Sequence, residues 1–277
     1  MATLYLVATP IGNLEDITLR ALRVLREVVL VAAEDTRTAR RLLSHYGIQA
    51  RLVSYNEHNK EKRTPLLLAA LAEGDVALVS EAGMPGISDP GVDLVRAAVA
   101  AGHRVTAVPG PSAIVAALAV SGLSTRQFTY LGFLPRRKGE RRRLLASLRE
   151  EPRTLVLLES PHRLRETLAD LHAALGERRI AVCRELTKMF EEIFRGTVGE
   201  ALAHFQEPRG EFTLVVEGAA AERQSLSPEE VALAELARLR REGRHAREAV
   251  GQVVARYRLP RRRVYQLWLQ LAGERGP

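Results

Sequence analysis

Two loops rich in glycine and proline each follow a predicted strand and lead into a predicted helix. The strand Val76–Ser80 continues into residues 81–91, which read Glu-Ala-Gly-Met-Pro-Gly-Ile-Ser-Asp-Pro-Gly, and the strand Arg104–Val108 continues into Pro109–Ser112. A loop that only reverses the chain direction between a strand and a helix needs roughly two to six residues. The first loop is longer than that. Because glycine lets bare backbone approach a ligand beyond the carboxyl ends of parallel strands, both loops predict a small-molecule site. An ordinary connecting turn is the alternative for either loop alone.

The elements that must position these loops alternate between strands and helices. Between Thr3 and Ser121 this alternation predicts a mostly parallel sheet, with strands at Leu4–Ala8, Val28–Ala33, Leu52–Ser54, Val76–Ser80 and Arg104–Val108. A second α/β unit follows, with strands at Phe128–Gly132, Thr154–Leu158, Arg179–Arg184, Glu192–Gly196 and Glu211–Glu217. Its last strands are close in sequence, so part of this sheet is expected to be antiparallel. The cleft between two such units is a natural small-molecule site.

The end of the chain predicts three short helices after a polar linker. Ser227 precedes Pro228 at a helix start, and Leu259-Pro260 separates the second helix from the third, as in a helix-turn-helix. From Pro228 onward eleven basic residues stand against six acidic ones, and the third helix opens with Arg261, Arg262 and Arg263. We expect this cluster to contact phosphates. A solvated helical face is the alternative.

Composition narrows the class of protein. The 277 residues are 46% hydrophobic, enough for a full core, and no apolar run reaches the length of a membrane span. The start of the chain lacks the basic region of a signal peptide, which predicts a cytoplasmic protein. The single cysteine, Cys183, excludes an internal disulfide, and no metal-binding spacing occurs, so no metal is expected. The formal net charge of +8 favours a polyanionic partner, with nucleic acid first.

Six motifs follow one another along the chain: Thr9–Thr18, Ala33–Arg37, Ser80–Gly91, Pro109–Ser112, Leu158–Arg163 and Arg184–Lys188. In residues and in order they resemble the motifs of the ribosomal RNA small subunit methyltransferase I family, within the tetrapyrrole-methylase-like superfamily. One departure lies in the third motif, where the family often reads Asp-Ala-Gly-Thr-Pro and this chain has Glu81 and Met84. A side-chain hydrogen bond at position 84 therefore cannot be carried over, whereas backbone contacts can.

The resemblance implies two α/β domains of the tetrapyrrole methylase type with an S-adenosylmethionine (AdoMet) cleft between them, plus a small C-terminal all-α helix-turn-helix-like domain. The boundaries we predict are 1–121, 122–220 and 221–277. The implied reaction is methyl transfer from AdoMet to the ribose 2′-hydroxyl of a cytidine in the decoding region of 16S rRNA. A homodimer is implied as well, because enzymes of this superfamily are commonly dimers. The implied AdoMet contacts come mostly from backbone and small side chains, at Pro10, Gly83, Met84, Ile87, Ser112, Ala113, Ser160, Leu186 and Thr213.

Methyl transfer from a sulfonium needs alignment above all, and a carboxylate near the 2′-hydroxyl would help to remove its proton. The carboxylates that flank the predicted loops are Glu34, Asp35, Glu81, Asp89, Glu159 and Glu185. For each, a helix cap or a surface ion pair is the alternative, and Asp35 and Asp89 both precede predicted helices. We favour Glu81 and Glu159, which directly follow strands, and keep Asp89 as the third candidate.

The predicted RNA contacts lie in several segments. Gly12 and Asn13 of the first loop face the RNA in this hypothesis, and Lys188 or Arg184 contacts phosphate or ribose. The remaining contacts are basic side chains, at Arg37, Arg136, Arg137, Lys138, Arg261, Arg262 and Arg263. Two other functions stay open. A methyltransferase of the same fold acting on a tetrapyrrole would not need the Arg-rich tail, and a non-enzymatic RNA-binding helix-turn-helix protein would leave both Gly/Pro loops without a role.

Overall fold

The structure is a computed structural model that describes residues 2–87, 91–219, 228–257 and 259–273. The chain divides into two compact units, Met1–Gly218 and Ala219–Pro277. Both sheets belong to the first unit, and the second unit is helical over its described residues. The predicted class, two α/β parts followed by a helical region, is confirmed. Its finer boundaries at residues 121 and 220 remain a prediction.

The first sheet has five parallel strands in the order β3-β2-β4-β1-β5. They are β1 (Thr3–Val7), β2 (Leu30–Ala33), β3 (Leu52–Ser54), β4 (Val76–Val79) and β5 (Arg104–Val108). The β4 sequence Val-Ala-Leu-Val is buried along its whole length, as expected for an inner strand of a sheet covered on both faces. Because all five strands run in one direction, the loops that follow them leave at the same edge.

Helices cover both faces of this sheet. Helices α1 (Leu19–Glu27) and α2 (Thr36–His45) contribute to one apolar cluster, and α3 (Lys60–Glu73) and α4 (Gly91–Ala100) contribute to another. The sequence pattern predicts helix α3 over Pro65–Glu73, and in the structure it begins five residues earlier, at Lys60. Its first residue, Lys60, forms ion pairs with Glu57 at 2.6 Å and Asp93 at 2.8 Å, which hold the first turn.

Helix α5 (Ala113–Ser121) connects the two sheets of the first unit. It follows β5 of the first sheet, yet its buried residues Ala117 and Leu118 pack with Ala181, Cys183 and Val215 of the second sheet. Burial raises the pKa of the Cys183 thiol to about 11, so the thiol stays protonated and unreactive at neutral pH. The last helix of the first α/β part is therefore core material for the second.

The second sheet has the order β6-β7-β10-β8-β9. Its strands are β6 (Phe128–Phe133), β7 (Thr154–Glu159), β8 (Arg179–Arg184), β9 (Glu192–Thr197) and β10 (Phe212–Val216). Only β6 and β7 pair in parallel, and the other pairings are antiparallel, so the expected mixed sheet is confirmed. The face opposite α5 is covered by α6 (Lys138–Ser147), α7 (Pro161–Leu175) and α8 (Val198–His204).

The helical unit comprises α9 (Pro228–Arg241), α10 (Ala246–Tyr257) and α11 (Arg261–Gly273). Its core is built from the buried side chains Leu236, Val250, Val253, Val264 and Leu267. Trp268 and Leu271 pack against this core. The sequence of the last helix predicts one apolar stripe, from the helical spacing of Val264, Leu267, Trp268 and Leu271, and the structure confirms it. Within the described ranges no helix is long and apolar enough to cross a membrane.

A buried ion pair joins α6 to α7. The Arg141 side chain is 1% exposed, and its Nη2 lies 2.7 Å from Asp170 Oδ2, while Arg142 Nε lies 2.8 Å from Asp170 Oδ1. Because Asp170 is itself buried and bonded to both guanidinium groups, Arg141 depends on it for charge compensation. The pair fixes how the two helices pack.

Replacing Asp170 with Asn should lower the free energy of unfolding by about 3 kcal/mol, because the buried Arg141 guanidinium would keep only the exposed Glu166 carboxylate, 3.3 Å away, as a countercharge. Urea unfolding measures this loss. The matched control is Glu27→Gln, which breaks the exposed Arg23–Glu27 pair and should cost less than about 1 kcal/mol. Equal losses in the two variants would contradict the role given to Asp170.

Candidate active site

Three loops at the carboxyl edge of the first sheet meet at Gly83. The Thr9 and Gly83 backbones exchange two hydrogen bonds, of 2.9 and 3.0 Å, which join the loop after β1 to the loop after β4. Gly83 has φ +76°, and a Cβ there would lie 3.6 Å from Ile11 Cγ2 and 3.7 Å from the Pro111 carbonyl oxygen, in the loop after β5. Glycine at this position therefore leaves backbone from all three loops around one small space.

The loop between β8 and β9 of the second sheet closes against the loop after β1. Asn13 N donates to Thr187 Oγ1 at 3.0 Å. Gly12 packs so closely that an added Cβ would lie 2.5 Å from Lys188 Cγ. Ile11, Ala113 and Leu186 belong to one apolar cluster. Segments from both sheets thus surround the same region.

The structure brings together several of the predicted AdoMet residues. Gly83, Ala113 and Leu186 lie in the converging loops described above, next to Pro10, which follows Thr9. Ser112 precedes α5 and makes no capping hydrogen bond with its side chain. Thr213 pairs with Leu158 and Cys183 in the register of the second sheet, on the face that α5 covers. Met84 is half-buried and Ile87 is 49% exposed.

Glu159 lies on the opposite face of the second sheet. Side chains alternate along a strand, so Glu159 shares a face with Leu155 and Leu157, under α7. The Glu159 side chain has no exposed surface. Its Oε1 accepts from Ser160 N at 2.8 Å and its Oε2 from Thr167 Oγ1 at 2.6 Å. These bonds fix the start of α7, so neither Glu159 nor Ser160 enters the reaction proposed below.

Glu81 stands at the end of β4 among other carboxylates. Burial is the first cause that raises the pKa of Glu81, followed by the charges of Glu34, Asp35 and Glu211, while Arg37 opposes the shift. Glu34 Oε2 accepts a hydrogen bond from Glu81 N at 3.2 Å. Within the described ranges the Glu81 carboxylate itself has no hydrogen-bond partner. It is therefore available to a ligand.

Asp35 and Arg37 form a clamp at the start of α2. Asp35 Oδ1 accepts from Arg37 N at 2.7 Å, and Asp35 Oδ2 accepts from Arg37 Nη2 at 2.8 Å. The Arg37 contacts lower the pKa of Asp35 to about 2. Asp35 thus caps its helix, as one of the two predicted alternatives had it. The Arg37 side chain remains 85% exposed and free to meet an anion.

A cavity of about 400 Å³ opens beside Glu81, at the loops after β2, β3 and β4. We name it the β2–β4 cavity; it is lined by residues 34–37, 54, 56–58 and 81. None of the candidate site residues predicted from the sequence comes from the end of β3 or the loop after it, which contribute Ser54, Asn56, Glu57 and His58 to this cavity. The signal was present in the polar run Asn56–Asn59, which directly follows a strand.

Lys188 makes internal ion pairs. Its Nζ lies 2.9 Å from Glu185 Oε1 and 3.0 Å from Glu211 Oε2. Glu185 and Thr187 have φ of 50° and 67°, the left-handed region that non-glycine residues rarely adopt. This geometry makes Lys188 a clamp for the β8–β9 loop, and its predicted RNA contact is not needed to explain its position.

The other predicted RNA contacts are exposed. Arg136, Arg137 and Lys138 lie at the start of α6. The preceding loop is held by Arg163, whose Nη2 donates to the Leu134 and Pro135 carbonyls. The cluster at the start of α11 includes Arg261, Arg262 and Arg263, of which Arg263 pairs with Glu229 at 2.7 Å. Asp89 lies outside the described residues. Among the described residues no cluster of His, Cys, Asp and Glu could hold a metal ion.

Comparison with known proteins places this site in a family. The family model described as Tetrapyrrole (Corrin/Porphyrin) Methylases matches residues 3–202. Two solved structures of uroporphyrin III C-methyl transferase from Thermus thermophilus share the fold. One is a native form with a TM-score of 0.58, and the other is complexed with S-adenyl homocysteine and has a TM-score of 0.57. Each is 22% identical to this chain and covers 78% of it and 97% of its own length.

Closer relatives carry one name. A protein of Halalkalibacterium halodurans named "Ribosomal RNA small subunit methyltransferase I" is 47% identical over 97% of this chain and 95% of its own. A protein of Thermotoga maritima with that name is 52% identical over 79% of this chain and 99% of its own. The chain therefore belongs to the tetrapyrrole methylase family and, within it, to the ribosomal RNA small subunit methyltransferase I family.

Replacing Glu81 with Gln should stabilise the protein slightly at pH 7. A carboxyl whose pKa is raised by folding destabilises the fold once it is ionised, so removing the charge should raise the free energy of unfolding, by less than about 1 kcal/mol at this exposed site. The gain should vanish as the pH falls below the ordinary pKa of a glutamate, where Glu81 is protonated in both states.

Thermal unfolding at pH 7 and at pH 4 measures both halves of this expectation. Glu61→Gln, on an exposed position of α3, is the control and should show no such pH-dependent gain. A Glu81→Gln variant that is less stable than the parent at pH 7 would contradict the arrangement of charges given above.

Proposed function

We propose that this chain transfers a methyl group from AdoMet to the ribose 2′-hydroxyl of a cytidine in small-subunit rRNA. The observation that carries the proposal is the convergence of three loops at Gly83, faced by the β8–β9 loop. Relatives named for rRNA methylation match nearly the whole chain at 47% identity, which supports the rRNA substrate.

The residues at the convergence fit AdoMet. Bare backbone at Gly83 and the apolar side chains of Ile11, Ala113 and Leu186 suit the adenine ring and the aliphatic part of the methionine chain of AdoMet. The Glu81 carboxylate beside them suits a cationic sulfonium. A neighbour with the same fold is complexed with S-adenyl homocysteine, the product of such a transfer. AdoMet would supply an electrophilic methyl group there.

The chain's own groups then have two tasks, alignment and proton acceptance. The loops hold the 2′-oxygen in line with the methyl carbon and the sulfur. The oxygen–carbon bond forms as the carbon–sulfur bond breaks, and the electron pair of the breaking bond passes to sulfur. The hydroxyl proton passes to the Glu81 carboxylate. A raised pKa makes Glu81 a better proton acceptor than an ordinary surface glutamate. Its carboxylate is free of other hydrogen bonds within the described ranges.

The basic residues outside the loops supply RNA affinity in this proposal. Arg37 is an exposed cation that lines the β2–β4 cavity together with Glu81, and Arg136, Arg137 and Lys138 form a patch at the start of α6. Phosphate contacts of this kind add affinity without selecting a sequence. The helical unit adds a further basic surface.

We also propose that the protein acts in the cytoplasm, where small subunits are assembled, and as a homodimer.

The tetrapyrrole methyltransferase alternative rests on the family description and on fold neighbours at 22% identity. That identity carries the fold alone. The non-enzymatic alternative assigns no ligand to the convergence at Gly83.

Incubation with labelled AdoMet and unmodified small ribosomal subunits, followed by mapping of the labelled nucleotide, tests the proposal. We expect label on one ribose 2′-oxygen of a cytidine, and none on a porphyrin or corrin offered in parallel. Glu81→Gln should slow methylation by a factor of about 100 or more, a far larger effect than the loss of AdoMet affinity that follows from removing the charge beside the sulfonium. Label on the tetrapyrrole would reject the rRNA reaction. Absence of label on every substrate, together with absence of saturable AdoMet binding, would reject it as well.

The helical unit should contribute to RNA affinity more than to the chemical step. The Thermotoga maritima relative matches 79% of this chain over 99% of its own length, so about one fifth of this chain has no counterpart there. A chain ending at Gly218 should bind AdoMet as the full chain does, while its KM for small subunits rises at least about tenfold and its salt dependence becomes shallower.

Steady-state methylation at several salt concentrations measures both effects. Full methylation by the shortened chain, with an unchanged KM and an unchanged salt slope, would contradict the RNA-binding role of the helical unit. The full chain with Gly251→Ala, a helical position with open space around it, serves as the control.

A further inference from the structure

The β2–β4 cavity lies beside the proposed AdoMet site without being part of it. It shares Glu81, which immediately precedes Ala82 and Gly83 of the converging loops. Its other walls come from the loops after β2 and β3, which contribute nothing to the convergence at Gly83. The cavity volume of about 400 Å³ lies in the range of small-ligand sites and suits a single nucleoside. A ligand here would sit next to the transferable methyl group.

The charge of the cavity selects against phosphate. Four carboxylates line it, from Glu34, Asp35, Glu57 and Glu81, against the single guanidinium of Arg37. Arg37 is already bonded to Asp35 and Lys60 to Glu57, so Glu34 and Glu81 remain without an ion pair among the described residues and keep the inside of the cavity negative. RNA is anionic through its phosphates, whereas its base and ribose are neutral. The part of RNA that can enter is therefore a nucleoside, with its phosphates kept outside the cavity.

The loop after β3 is organised before any ligand arrives. Asn59 Nδ2 donates to Ser54 Oγ at 2.7 Å, and Asn56 Oδ1 accepts from His58 N at 3.2 Å. Asn56 Nδ2 also donates to Ser54 Oγ, at 3.3 Å. These bonds engage the side-chain amides of Asn56 and Asn59 within the loop itself. The His58 ring remains exposed, with no bonded partner in the part of the chain that the structure describes.

The free groups of the cavity match the edge of a cytosine. Glu34 uses Oε2 for the Glu81 amide, which leaves Oε1 to accept from the exocyclic amine of cytosine, a pairing that carboxylates make with this base. The His58 ring can donate to the ring nitrogen or the carbonyl oxygen of the same base. Glu81 then faces the ribose, because it is the cavity residue closest in sequence to Gly83.

We propose that the β2–β4 cavity binds one cytidine of the RNA, extruded from its strand, with the ribose beside Glu81 and the base toward Glu34 and His58. The inference rests on the proposed methyl transfer and names the site of its nucleoside. Extrusion follows from shape, since a base stacked in a helix cannot enter a concave site. The cavity thus selects the base, and the basic surfaces outside it hold the strand.

Direct binding of free cytidine tests the cavity apart from catalysis. Titrated into the full-length protein and followed by NMR, cytidine should bind weakly and cytidine 5′-monophosphate at least about tenfold more weakly, because of the negative lining. Glu34→Gln and His58→Ala should each weaken cytidine binding by about tenfold or more. Glu61→Gln, an exposed change on α3 outside the cavity, should leave it unchanged.

Methylation of small subunits supplies the second readout. We expect kcat/KM to fall about 10- to 100-fold in Glu34→Gln, with AdoMet affinity by calorimetry within about twofold of the parent. His58→Ala repeats the test at an exposed position if Glu34→Gln does not fold. Tighter binding of the monophosphate than of cytidine, or parental kcat/KM in both variants, would overturn the inference.

Two further outcomes separate this inference from the function on which it rests. A loss of AdoMet affinity as large as the loss of kcat/KM would assign the cavity to AdoMet and overturn the nucleoside site, while the methyl transfer would stand. Absence of AdoMet binding in the parent protein would reject the proposed function. The cytidine titration would still decide whether the cavity holds a nucleoside.

Discussion

The backbone pairing of Thr9 with Gly83 is the contact on which the site depends. It ties the loop after β1 to the loop after its neighbour β4, the central strand, at the edge where all five parallel strands end. Gly83 can make it because its φ of +76° is open to glycine at no steric cost. With these loops joined, the loop after β5 closes one side of the space and the β8–β9 loop closes another. The carboxylates of the neighbouring loops then fall around Glu81.

Patterns of sequence were sufficient for the fold. The run Val76–Val79 has the continuous burial of an inner parallel strand, and the short spacing between the last strands of the second sheet required antiparallel pairing. The Gly/Pro loops could be located for the same reason, since they interrupt strong periodicity at its most regular points. These features are local, and local chemistry sets them. The start of α3 was missed because ion pairs of Lys60 with residues on both sides of it decide that boundary.

The roles of single side chains were harder to predict, because they depend on which face and which partner a residue acquires. Glu81 and Glu159 both directly follow a strand predicted from the sequence, yet in the structure Glu81 is open to a cavity and Glu159 lies buried under α7, bonded to Thr167. Lys188 has the type and position of an RNA contact but is bonded to two glutamates that lie far apart in sequence. Ser54 ends a strand of only three residues, and Asn56 and His58 follow it; so short a strand is too weak a sequence signal to mark its loop as a candidate site.

Helix α5 belongs to the first sheet by chain order and to the second by packing. Its sequence, Ala-Ile-Val-Ala-Ala-Leu-Ala-Val-Ser, has no polar face to offer to water, and the strands it covers lie up to about a hundred residues further along. While the chain is being synthesised, α5 emerges well before its binding surface exists. The first sheet can form in that interval, but the apolar residues of α5 stay exposed to solvent until the strands that cover them, of which β10 is the last, have been synthesised. Slow translation or early termination between α5 and β10 would leave an intermediate with this apolar helix exposed, which is prone to aggregation. Dependence of folding on a chaperone would then originate at α5 rather than in either sheet.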